Sequence, residues 1–96
     1  MAKNFSKPKD PRDVARYSYD FEPVMGEEET ILGTPTVNLP DVSDLVVQGQ
    51  PSVVGKAVFV TLQGGADGMA YAIEFEIQTS EGQTFNRKAV LKVKDL

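Results

Sequence analysis

The chain has 96 residues, 41% of them apolar, a net charge of −4, and no histidine, cysteine or tryptophan. That is enough for one small core, but it excludes the usual general base, thiol chemistry, disulfide staples and His- or Cys-based metal sites. The acidic balance argues against nucleic acid as the main partner, and the apolar runs of about five residues fall far short of the roughly 20 that cross a bilayer.

Residues 1–13 hold Pro8, Pro11 and many charges without an apolar period. They read as an extended N-terminal arm, ordered only if a partner holds it. The arm begins without the apolar segment of a secretory signal, so a soluble chain made in the cytoplasm is expected. A domain of residues 14–96 follows. Its first strand is expected over Arg16–Phe21, with Tyr17, Tyr19 and Phe21 on one face and best used in a core. Pro23 and Gly26 end it. A second strand starts near Glu29 and reaches Leu39; Gly33 and Pro35 interrupt it, which is tolerated at an edge or a bulge. Pro40-Asp41 begins a turn, Leu45–Gln48 forms a short third strand, and Ser52–Val54 can pair at an edge.

Three alternating runs close the chain: Val58–Leu62, Tyr71–Ile77 and Phe85–Val93. A period of two is what a sheet needs when one face is buried and the other wet. The last hairpin has a definite register. A three-residue loop, Ser80-Glu81-Gly82, with Gly82 left-handed, sets Thr79 opposite Gln83, Ile77 opposite Phe85, Phe75 opposite Arg87, Ile73 opposite Ala89 and Tyr71 opposite Leu91. The large apolar residues then share one side, and Glu74 meets Lys88 on the other. A two-residue loop would turn Phe75 to the wet face. Arg87 is the exception on the buried side and is expected near the sheet end. Six to seven short strands with frequent turns make an all-β, immunoglobulin-like antiparallel sandwich.

Charge is unevenly placed. Residues 1–16 carry a balance of +3, and residues 17–55 carry seven acids and no base. This fits either solvated surfaces or complementary docking between copies or onto a larger assembly. The docking reading makes Lys3, Phe5, Lys7, Lys9 and Arg12 of the arm, with Glu27, Glu28 and Glu29, the candidate partner-binding residues. No catalytic, cofactor or metal residues are assigned. The glycine-rich loop Gln63–Gly68 lacks the Gly-Lys-Ser/Thr ending and is followed by a strand, so it reads as a tight reversal, not a phosphate site. The run Glu27–Glu29 has no second acidic cluster with calcium-loop spacing. No nucleophile has a visible activating partner.

Lys9-Asp10-Pro11, Val14, Tyr17, Asp20-Phe21, Gly26-Glu27 and Ile31, with Leu62–Gly65, Gly68, Tyr71, Ile77–Ser80, Gly82-Gln83 and Arg87, resemble small virion proteins of tailed bacteriophages. The likeness runs from about Phe5 to Val93 and is strongest over residues 58–93. It implies an immunoglobulin-like fold and a fibre–tail adaptor, neck or head accessory role. The expectation is a non-enzymatic virion component of tail or neck, present in many copies and assembled in the host cytoplasm. It would bind other virion proteins by passive docking, without nucleic acid, membrane or cofactor. A capsid decoration protein and a module for host-surface glycan are the alternatives.

Overall fold

The alternating runs become seven strands in the computed structural model, which describes residues 3–5, 7–39 and 44–96. They are β1 (Lys3–Asn4), β2 (Val14–Asp20), β3 (Ile31–Asn38), β4 (Leu45–Val54), β5 (Ala57–Gly64), β6 (Ala70–Thr79) and β7 (Thr84–Lys92). One sheet has the order β1-β7-β6-β3 and the other β2-β5-β4. With β2 to β7 lettered B to G, these are the C-F-G and B-E-D sheets of an immunoglobulin sandwich, with β1 added in parallel beside G. The fold class read from alternation is the one observed.

The core is the set of inward residues of both sheets. Tyr17, Val58, Val60 and Leu62 on one side meet Tyr71, Ile73, Phe75, Ile77, Ala89 and Leu91 on the other, all buried. Tyr19 and Phe75 bring their rings within 5.6 Å across the gap. Each large apolar side chain buried this way contributes about 1.5–3 kcal/mol. At the start of β6 the Tyr71 hydroxyl accepts from Ala66 N (2.8 Å) and donates to Asp44 Oδ2 (3.1 Å). This is the tyrosine corner of immunoglobulin-like sandwiches, tying strand F back to the preceding loop.

The β6–β7 hairpin has the expected register throughout, including Ile77 opposite Phe85 and Glu74 opposite Lys88. Gly82 is left-handed at φ +76°. Arg87 lies in mid-strand, not near the sheet end; it is half-buried, 5.6 Å from the Phe85 ring centroid, and donates to Asn86 O. Its charge escapes by lying over the ring and reaching a carbonyl.

The other boundaries differ in instructive ways. The first strand starts two residues early, and Phe21 leaves it to seal the core beside a single 3-10 turn, Glu22–Val24. The separate short strands expected at Leu45–Gln48 and Ser52–Val54 are one strand, β4, with Gly49, Gln50 and Pro51 bulging opposite Val60. In β3, Gly33, Thr34 and Pro35 bulge opposite Ile77 in the same manner. A bulge removes the ladder hydrogen bond that proline cannot make, so each strand survives its proline. The turn expected at Pro40-Asp41 lies outside the described residues.

The arm is the largest departure. It was expected to need a partner, yet this chain's own β7 holds it. Lys3 and Asn4 pair with Ala89 and Val90, Phe5 N donates to Val90 O (3.0 Å), and Lys9 bridges to Val93. The outer edge of β7 offered unpaired backbone groups, and the arm satisfies them.

Candidate docking surfaces

Of the basic candidates, Lys9 is internal. Its side chain, 1% exposed, reaches across the sandwich end, and Nζ donates to Gly64 O (2.6 Å) and Asp10 O (2.9 Å). Burial pushes its pKa below the usual lysine value, opposed by the charges of Asp13 and Asp10. The receiving loop is built on two glycines. A Cβ on Gly64, at φ +84°, would lie 2.2 Å from Asp44 O, and one on Gly65 would lie 2.9 Å from Val93 Cγ2. The reading of this loop as a tight reversal therefore has a specific cause: the chain needs left-handed backbone and close approach together.

Arg12 is exposed but engaged. Its Nε and Nη2 each lie 3.1 Å from the Asp10 carboxylate, and Nη2 also reaches Asp95 at 3.2 Å. Asp10 accepts from Arg12 N and Leu96 N as well. The Arg12 guanidinium, with these backbone N–H groups, holds the Asp10 carboxyl well below the usual carboxylate range. Phe5 turns its ring inward, 5.1 Å from Tyr17 and 6.1 Å from Phe75. Lys7 is exposed, and the side chain of Lys3 lies outside the described residues. Arg16, which the sequence reading did not single out, is exposed on β2 with its guanidinium 5.3 Å from the Phe59 ring centroid. Between the arm and β2 lies a groove of about 180 Å³ lined by Phe5, Lys7, Arg16, Tyr17 and Ser18. Tyr17 is 6% exposed, and its hydroxyl has no partner among the described residues.

The acidic candidates divide in the same way. Glu29 is buried; its Oε1 accepts from Gly26 N (2.8 Å), and its Oε2 accepts from the Thr79 hydroxyl and from Gln83 Nε2 (2.9 Å). It clamps the Gly26–Glu29 turn onto the β6–β7 hairpin. The Thr79 hydroxyl first, then the Gly26 N–H, holds its pKa below the usual glutamate value despite burial. Glu27 and Glu28 stay exposed. The topology gathers them at one end of the sandwich with Asp20, Glu22 and Glu81, where β2 ends and the β4–β5 and β6–β7 hairpins turn. The one base described at this end, Lys56, donates to Gly26 O and Glu27 O. A third surface was not foreseen. Edge strands β3 and β4 contain no charged residue and expose Leu32 (53%), Val46 (46%) and Val54 (65%). The signal for it, two charge-free strands, was in the sequence.

The buried carboxylates carry a pH prediction. Asp10 and Glu29 have folded pKa values below their ordinary 3.8 and 4.5. In acid the unfolded chain therefore binds more protons than the folded one, so stability is full above the ordinary values and is lost as pH falls towards the folded ones. With no histidine to titrate, the melting temperature should be level from about pH 8 to about pH 5 and fall below about pH 4.5. Thermal scans of Asp10→Asn and Glu29→Gln should show lower stability at neutral pH and a shallower acid fall. An unchanged acid limb in both would refute the assignment.

The fold is thus an immunoglobulin-like sandwich with chemically distinct outer surfaces. A protein-family model described as podophage GP4 fiber-tail adaptor protein gp77 matches residues 9–92, and the chain belongs to that family. It is a phage fibre–tail adaptor, a structural component of the virion tail that links other virion proteins such as tail and fibre. A search of curated proteins found no match.

Proposed function

We propose that the protein performs its adaptor role by passive docking, without catalysis, through two surfaces of opposite charge. The basic surface is the arm side, with Lys7 from the arm, Arg16 beside it and Lys3 at the arm's start; Arg12 is already paired with Asp10 and Asp95, and Phe5 packs inward beneath. The acidic surface is the end that carries Glu27 and Glu28. Lys9 and Glu29 serve these surfaces from inside, by fixing the backbone that presents them. The observation that supports this reading is the segregation itself: among the described residues, Asp20, Glu22, Glu27, Glu28 and Glu81 share one end with a single base, Lys56, away from the arm. A bridging subunit needs separate faces for separate neighbours, and opposed charge gives each face its own partner.

Deleting residues 1–13 would be a poor test, because Lys9 and Asp10 belong to the fold. Charge reversal at exposed positions is cleaner. Particles assembled with Glu27→Lys/Glu28→Lys, or with Lys7→Glu/Arg16→Glu, should contain markedly less of this subunit or of the fibre, measured by quantitative mass spectrometry of purified virions. Normal content of both in both variants would overturn docking through charge.

A further inference from the structure

We propose that the groove between the arm and β2 receives the Glu27-Glu28 turn of a second copy of this chain. This rests on the docking reading above and narrows it to a specific contact. The groove is lined by Phe5, Lys7, Arg16, Tyr17 and Ser18, and neither Lys7 nor Arg16 forms an ion pair among the described residues. Tyr17 forms the buried floor of the groove and leaves its cations as the accessible charged groups described there. Two exposed cations with no ion pair among the described residues select an anion, and a carboxylate is the anion that a protein side chain supplies.

The chain itself carries the matching group. The Gly26–Glu29 turn is held by three bonds to the Glu29 carboxylate, and Lys56 Nζ anchors its carbonyls. Its two exposed carboxylates are thus presented on fixed backbone, so little ordering remains to oppose binding. Each copy gives its turn to a neighbour's groove, as a reciprocal pair or as a head-to-tail chain.

The test is sedimentation velocity of the purified full chain over a range of concentrations, at low and high salt. The wild type should self-associate, less so in high salt. Glu27→Lys/Glu28→Lys and Lys7→Glu/Arg16→Glu should each weaken association by roughly tenfold or more. Mixing these two variants should restore a complex, since the reversed groove now faces a reversed turn. A wild type that stays monomeric at low salt overturns the proposal, as does reversal without effect or a mixture that fails to associate. If the wild type is monomeric and the same reversals still deplete particles, the self-contact falls and charge docking to another protein stands.

Discussion

Replacing Gly64 by alanine should lower the unfolding free energy by about 3 kcal/mol or more, on backbone grounds alone. Two effects combine. At φ +84° an L side chain is strained, by about 1–2 kcal/mol. The added Cβ would also stand 2.2 Å from Asp44 O, a backbone atom that cannot rotate away. Something must shift, and nearby depend the Gly65 N–H to Asp44 O bond and the Lys9 Nζ to Gly64 O bond. Gly33 is the control. It is left-handed at φ +67° with nothing within 4 Å of a Cβ, so Gly33→Ala should cost only about 1 kcal/mol of strain. Urea titrations of the two variants separate strain from collision, and equal losses would show that the collision is relieved cheaply.

Lys9→Ala should be nearly as severe, at about 2–4 kcal/mol. It removes a buried aliphatic stem and leaves Gly64 O without its ammonium donor. Some of that loss is offset, because a buried ammonium is itself costly to desolvate. Lys9→Met separates these contributions: it keeps most of the stem and discards the charge, so it should lose about half as much. The arm provides a second readout. The Phe5 amide, bonded to Val90 O, should exchange with deuterium faster in Lys9→Ala than in the wild type. Unchanged stability in Lys9→Ala would mean that the arm is held without this anchor.

Local pattern made the last hairpin legible to single-residue register. Alternation fixed its faces, and one left-handed glycine fixed its loop length. β4 was read as two pieces because Gly49 and Pro51 look like a boundary; only the partner strand β5 shows that they form a bulge inside one strand. The charged candidates divided for a similar reason. Lys9 and Lys7 stand two apart among polar neighbours, and nothing local distinguishes them. The partner that buries Lys9 is Gly64, 55 residues away, and the partner that buries Glu29 is Thr79, 50 residues away. Burial of a charge is decided by contacts of that range, so the sequence marked the surfaces by charge and missed which members turn inward. The free edge of β7 was equally invisible, and with it the arm's place in the sheet.

The bulges in β3 and β4 have a consequence for the life of the subunit before assembly. Unguarded by charge, these outer strands would otherwise invite uncontrolled stacking of neighbouring chains. The kinks at Gly33–Pro35 and Gly49–Pro51 cut each strand into straight pieces of at most four residues. An incoming strand finds no continuous ladder to extend, and fibril growth needs one. Unassembled copies are thus kept from stacking edge to edge, even though Leu32, Val46 and Val54 stay exposed.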